Sequence, residues 1–347
     1  MHMADALLSP AVAAVLYASS GTTAGISIHQ LKKENNPAQL PTMAVGAALV
    51  FAGQMINYTI PGTGSSGHIC GGMLLSALLG PQAGFLSMIV ILAIQCLFFA
   101  DGGLMALGAN VWNMAFYGCF VGYYLIWRPI LHSRWFGDGA RAVRLRIIAA
   151  SVIGCVVTLQ LGAFSVVLET SLSGITELPF GAFVALMQPI HLAIGLVEGA
   201  VTAAVLCFVY SARPELVREA DAAGVSAKGS VKSVVAVLAA VTVLVGGGLS
   251  LLASSNPDGL EWALFGNAES GYSENMGLDE EAYGVESTVA DKAASIQEGT
   301  SFLPDYAFPG SESAAGTTVS GLVGAAMVAI VAAVVCVIGG AYRRKRS

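Results

Sequence analysis

The run Ile60-Pro61-Gly62-Thr63-Gly64-Ser65-Ser66-Gly67-His68-Ile69-Cys70-Gly71-Gly72 breaks an otherwise apolar stretch of this chain. The segment before it, at about 43–60, approaches the roughly 20 apolar residues that a membrane-spanning helix needs. The segment after it, at about 68–80, is too short to cross alone. It is therefore expected to begin below the surface, from a re-entrant loop. Irregular backbone at that depth is tolerated only where protein or a cavity buries it. Glycine gives such a loop its conformational range, so the loop is able to present His68 inward.

Outward from this loop, further apolar segments fall at about 9–27, 82–100, 104–127, 146–168, 182–210, 233–253 and 318–341. Of the 347 residues, 55% are hydrophobic and only 11% are charged, and the mean hydropathy is +0.72. A soluble domain carries about 25% charged residues. The chain therefore reads as an all-α integral membrane protein of about nine transmembrane helices. Its six cysteines show no CxxC spacing and read as small apolar residues in helices.

Basic residues orient the bundle. Four intervals carry them: Lys32 and Lys33; Arg128, Arg134, Arg141, Arg144 and Arg146; Arg213, Arg218, Lys228 and Lys232; Arg343, Arg344, Lys345 and Arg346. Nine passes with the N-terminus outside and the C-terminus inside place all of these on the inner face. The opposite face is acidic. Residues 254–317 hold twelve acids against Lys292 alone. That stretch reads either as a solvated loop or as a weak attractor of cations toward the mouth of the protein, within a screening length of about 8–10 Å.

Three regions follow: a seven-helix part at 1–210, an inner linker at 211–232 and a two-helix part at 233–347 around the acidic loop. Gly321, Ala325, Ala329 and Ala333 recur every four residues in the last span. Such a stripe lets another helix approach closely, so the second part is expected to pack on the first.

The first ten residues, Met-His-Met-Ala-Asp-Ala-Leu-Leu-Ser-Pro, lack the basic start of a cleaved signal peptide. Met1 and His2 offer three nitrogens in a row: the α-amine, the His2 amide and the His2 imidazole. Binding through them closes a five-membered and a six-membered chelate ring. Three corners of a nitrogen square suit Ni2+ or Cu2+, and less strictly Co2+. A fourth nitrogen must come from elsewhere, and His68 is on the same outer face. Polar partners for its ring are sought among Asn57, Ser65, Ser66, Asn110 and Asn113, because a ligating imidazole usually bonds through its other nitrogen. The asparagines serve equally as helix caps or interhelical contacts. His29 and His132 read as inner-face residues. His191 and Glu198, seven residues apart on one helix face, read either as a coupling pair or as a structural polar contact.

The runs MHMADALLSP, FAGQMINYTIPGTGSSGHICGG, ADGGLMALGANVWNMA and HLAIGLVEGAVTA resemble the nickel/cobalt substrate-binding membrane subunits of energy-coupling-factor transporters, the CbiM/NikM type, over about residues 1–210. Residues 256–264 and 304–310 resemble the PDGLE module, a companion of the CbiN/NikN kind, fused here to the first part. The resemblance implies a prokaryotic plasma-membrane protein that captures Ni2+ or Co2+ as a transported substrate. Its ligands would be Met1, His2 and His68. Its partners would be a transmembrane coupling subunit and cytoplasmic ATPases, with no nucleic acid involved. The chain has no GxxxxGK[ST] phosphate loop, so ATP is expected to be handled by those partners. Cobalt uptake for cobalamin biosynthesis is the alternative cargo. A self-sufficient secondary divalent-metal transporter is the rival of another class, and a metallohydrolase lacks its ligand cluster. The activity expected is therefore transport and not catalysis.

Overall fold

The computed structural model of the chain describes residues 2–34, 40–174, 179–222, 227, 229–267, 272–273, 284, 287–311 and 313–344. Met1, Lys228, Lys345, Arg346 and the acids Glu269, Glu274, Asp279, Glu280, Glu281, Glu286 and Glu312 lie outside the described residues.

The apolar segments form helices α1 (Pro10–Glu34), α2 (Leu40–Gln54), α3 (Gly72–Leu79), α4 (Pro81–Phe99), α5 (107–131), α6 (Ala140–Leu172), α7 (Phe180–Ala212) and α8 (Val231–Gly247). Two shorter helices, α9 (Gly259–Phe265) and α10 (Thr288–Thr300), precede the last, α11 (Ala314–Arg344). Among the described residues, five helices are long and apolar enough to cross a membrane: Pro10–Lys33, Pro81–Phe99, Ala140–Leu172, Phe180–Ala212 and Ala314–Val334. Pro41–Gln54 and Val231–Gly247 are apolar but shorter. Large apolar side chains such as Leu125, Leu196, Leu244 and Ile330 stand exposed on the outward faces. The chain is thus a helical, multi-pass membrane protein.

The loop around His68 departs from a plain helix connection. α2 stops at Gln54, and Tyr58–Ile60 (β1) folds back on Ser65–Gly67 (β2) as an antiparallel hairpin. Gly62 and Gly64 turn it with φ of 76° and 71°, values that side chains rarely tolerate. α3 then runs for only 8 residues, all of them buried. At 1.5 Å per residue that is about 12 Å, far less than a bilayer core. The half-helix begins inside the protein and is followed at once by Gly80, φ 86°, and the Pro81 that starts α4.

Glycines set the close helix pairs. A Cβ on Gly195 or Gly199 would lie 2.8 or 2.7 Å from the Cα of Val156 or Val152, so α7 rests directly on α6. One on Gly321 would strike the carbonyl of Gly246, and one on Gly324 would strike the Phe51 ring. α11 therefore lies against α8 and α2. Its packing face is Gly321, Gly324, Ala325, Val328 and Ala332. Ala329 and Ala333 of the expected every-four stripe are only partly covered, because 3.6 residues per turn carries such a row off one face.

Two polar regions are more ordered than solvated loops. The linker returns beneath α3, where Arg218 donates from its backbone to the Ala77 carbonyl at 2.8 Å and from its guanidinium to the Leu79 carbonyl at 3.3 Å. The acidic stretch supplies α9, whose Leu260, Trp262, Ala263 and Leu264 are buried.

Candidate metal centre

The N-terminal segment lies against the start of α5 and the turn before it. The Met3 amide donates to Asn110 Oδ1 at 2.7 Å, and its carbonyl accepts from Asn110 Nδ2 at 3.2 Å and from the Gly103 amide at 2.9 Å. Asp5 Oδ1 accepts from the Ala106 amide at 2.8 Å, while Met3, Leu7 and Leu8 are buried. Two glycines make room for this segment. Gly102, at φ +79°, would place a Cβ 3.2 Å from the Cβ of His2, and a Cβ on Gly103 would overlap the Asp5 carboxylate.

His2 is thereby delivered to the outer end of α4. Its Nε2 faces Gln95 Oε1 at 3.3 Å, and its Nδ1 stands 3.1 Å from Asp101 Oδ1. The amide group of Gln95 is itself fixed, since its Nε2 donates to Gln54 Oε1 at 2.9 Å. Gln54 Nε2 in turn donates to the Cys70 carbonyl at 2.7 Å. This relay ends on a backbone acceptor and so settles every donor along it. Gln95 therefore presents its oxygen to His2 Nε2. The ring faces an acceptor at each nitrogen, Gln95 at Nε2 and the Asp101 carboxylate at Nδ1, and Nδ1 is the nitrogen that a six-membered chelate ring requires.

His68 reaches the same place from the hairpin. Its ring stacks on that of His2 with centroids 5.2 Å apart and planes at 23°. Its Nδ1 bonds to the neighbouring Ile69 carbonyl at 3.0 Å, which holds the proton there and leaves the Nε2 lone pair unused. Burial pushes the His68 imidazole down to about 4. It also lowers His2, against the opposing pull of the Asp101 carboxylate. Both rings are therefore neutral near pH 7 and available as ligands.

The polar residues expected around His68 are distributed differently. Asn110 and Asn113 serve the N-terminal segment: Asn113 Nδ2 lies 3.6 Å from Met3 Sδ and 2.8 Å from Glu169 Oε2. Asn57 lines the outer cavity. Ser65 bonds to the carbonyl of Ser66, and Ser66 meets the second module through a 2.8 Å bond from its Oγ to the Asn256 carbonyl. His191 is wholly buried; its Nδ1 bonds to the Met187 carbonyl at 2.8 Å, and its ring lines a cavity of about 10 Å³ together with His68. Glu198 accepts from the amides of Cys70 and Gly71 at 2.7 and 2.9 Å. Met1 lies outside the described residues.

Residues 256–261 form a wall over the two imidazoles. The Ser66 amide donates to the Pro257 carbonyl at 2.8 Å, and Asn267 Nδ2 donates to the Gly64 carbonyl at 2.8 Å. Asp258 caps α9 in a reciprocal box with Glu261. From the other side Gln297 Nε2 donates to the Gly102 carbonyl at 2.7 Å, and the Tyr306 hydroxyl donates to Asp101 Oδ2 at 2.5 Å. Together they enclose a cavity of about 520 Å³ lined by His2, His68, Asp5, Asp101, Asp258 and Glu261 among others. Among the described residues no three His, Cys, Asp or Glu side chains are grouped to hold a metal ion.

Sequence reasoning missed Gln54, Gln95 and Asp101. Two glutamines inside apolar spans and an acid at the mouth of one were the available signals, but their partners lie 41 and 93 residues away along the chain.

Residues 2–216 match the family described as the cobalt uptake substrate-specific transmembrane region, and residues 232–340 match the PDGLE domain. A protein of Archaeoglobus fulgidus named as a fused nickel transport protein, NikMN, is 37% identical over 330 residues, covering 94% of this chain and 95% of its own. A cobalt transport protein, CbiM, of Sorangium cellulosum is 30% identical over 220 residues, covering 62% of this chain and 94% of its own. The crystal structure of a truncated transition metal transporter superposes with a TM-score of 0.52 at 31% identity, covering 60% of this chain and 98% of that one.

Proposed function

The chain belongs to the family of cobalt uptake substrate-specific transmembrane proteins, here joined to a PDGLE domain, and from that premise we propose that it captures Ni2+ outside the cell for an energy-coupling-factor importer. It is a nickel or cobalt transport component, and its work is transport. The observation that carries the finer reading is the stacking of His2 on His68, two residues delivered by separate segments to one cavity.

The Met1 α-amine, the His2 amide and His2 Nδ1 form the chelate, and His68 Nε2 supplies the fourth nitrogen. Asp101, 3.1 Å from His2 Nδ1, places a negative charge where the cation arrives. Such a square selects against Zn2+ and Mn2+ by geometry, while Cu2+ remains the strong competitor. Binding releases protons, so affinity falls in acid. Nine passes with the N-terminus outside put the cavity on the outer face, and a coupling subunit with cytoplasmic ATPases drives release inside. Co2+ is the second cargo, favoured by the description of the matched family; competition between the two ions decides it.

The experiment is metal analysis of purified His2→Ala protein, which keeps the amine and the amide but loses the chelating imidazole. We expect the variant to fold and to lose stoichiometric Ni2+. Retained nickel would falsify the chelate.

A further inference from the structure

We propose that Glu198 is a positioning residue of the metal centre: through a two-point clamp on the backbone it holds His68 within reach of the ion and offsets the positive end of the half-helix behind it. The inference rests on the reading of His2 and His68 as metal ligands.

Glu198 sits on α7, 2% exposed, and each of its oxygens has its own amide: Oε2 takes the Cys70 N–H at 2.7 Å and Oε1 the Gly71 N–H at 2.9 Å. A protonated carboxyl would give up one acceptor to carry its hydrogen. Two amide donors, one to each oxygen, fit the ionised form. The clamp closes on the residues that follow His68 and Ile69, and the carbonyl of Cys70 is fixed as well, by Gln54 at 2.7 Å. Cys70 is therefore held at both of its polar groups, and the imidazole two residues before it inherits that position.

The local sequence explains why the cap is borrowed from a distant helix. α3 starts after Gly71, which has φ +82° and provides no side-chain cap. A Cβ there would lie 2.4 Å from Val50 Cγ1, so no Ser, Thr or Asp fits at the position that would normally cap the helix. The amides of Cys70 and Gly71, the two residues that lead into α3, turn instead to a carboxylate 128 and 127 residues further along the chain.

Electrostatics gives the clamp a second role. A helix N-terminus acts as roughly +0.5 of an elementary charge. His68 lies just ahead of that end, so a divalent cation on its Nε2 would sit close to a positive pole. The Glu198 carboxylate is bonded to the two residues immediately before that end and offsets the pole from there. A neutral side chain of the same shape keeps the packing and loses the compensation.

The test is a double-mutant cycle on the full chain in detergent, titrating Ni2+ against a competing chelator. Glu198→Gln is expected to weaken Ni2+ by about 10–100-fold, the usual cost of losing a group that orients a ligand. In a His68→Ala background the same change should add less than about threefold, because its effect travels through His68. Equal losses in both backgrounds, or no loss in either, overturn the proposal. If Glu198→Gln does not fold, Glu198→Asp keeps the charge and withdraws it by one methylene; full affinity in a folded Asp variant also overturns it. Unchanged binding in His68→Ala alone sinks the metal-site reading itself, and the role of Glu198 falls with it.

Discussion

The two imidazoles of the centre are held in opposite ways. His2 belongs to a short segment that is attached by side chains of other helices: Asn110 grips the Met3 backbone, and Gln95 and Asp101 address the ring. His68 belongs to the backbone of the broken helix, and its proton is set by its own neighbour, Ile69. One half of the site is docked and the other is built in. A docked ligand can leave and return, as a substrate carrier requires. A built-in ligand gives it a fixed place to return to. Substitutions in the side-chain relay should therefore damage the His2 half and leave His68 in place.

The largest effect is expected at Asn110. Replacing it with Ala removes both hydrogen bonds to Met3 and strands the buried Met3 amide, while the carbonyl keeps the Gly103 N–H. At about 1–1.5 kcal/mol for each bond, docking should weaken by roughly 2–3 kcal/mol, or about 30–150-fold in Ni2+ affinity. Isothermal titration of the folded protein checks it. A loss under threefold would mean that the segment is held by Met3, Leu7 and Leu8 packing alone. Next comes Gln95→Leu, which removes the group facing His2 Nε2 and breaks the relay behind it. A loss of about 10–100-fold is expected, with the unfolding temperature little changed. Gln54→Leu should produce part of the same loss, since it releases Gln95 without touching His2. If Gln95→Leu binds Ni2+ normally, the ring is oriented by something other than the relay.

Much of this was legible in the sequence, for specific reasons. The proposed chelate rests on covalent chemistry at Met1 and His2 alone, and Met1 lies outside the described residues. The broken helix follows from Pro61, Gly62 and Gly64 beside a run too short to span, and α3 is indeed a buried half-helix of 8 residues. What was not legible depends on the meeting of distant segments. Nothing near Glu198 in sequence says that its carboxylate will cap α3, because the reason is the lack of room at Gly71 beneath Val50. Gln54 and Gln95 read as tolerated polar residues until α2 and α4 lie side by side. The acidic stretch misled in another way: its net charge suggested solvent, while Leu260, Trp262 and Leu264 between the acids bury a short helix over the site.

That stretch gives the smallest effect and the one that separates field from contact. Glu261 lines the cavity at its exposed rim, where partial desolvation, aided by the nearby Asp258 carboxylate, pushes its acid up to about 7. Above that pH it is charged and draws a cation inward; below it the charge is gone. The sign is therefore an affinity that falls as pH drops from 8 to 6. His68 contributes no step in this window, because its imidazole stays neutral down to about 4. Metal binding also displaces protons from the proposed chelate, so the wild-type profile alone is ambiguous. Glu261→Gln resolves it, since the amide oxygen can still accept from the Asp258 N–H while the titration is removed. A single partly screened charge is worth up to about 1 kcal/mol, so the variant should bind Ni2+ about two- to fivefold more weakly at pH 8 and match wild type at pH 6. A constant ratio across the range would assign Glu261 to the wall of the cavity alone.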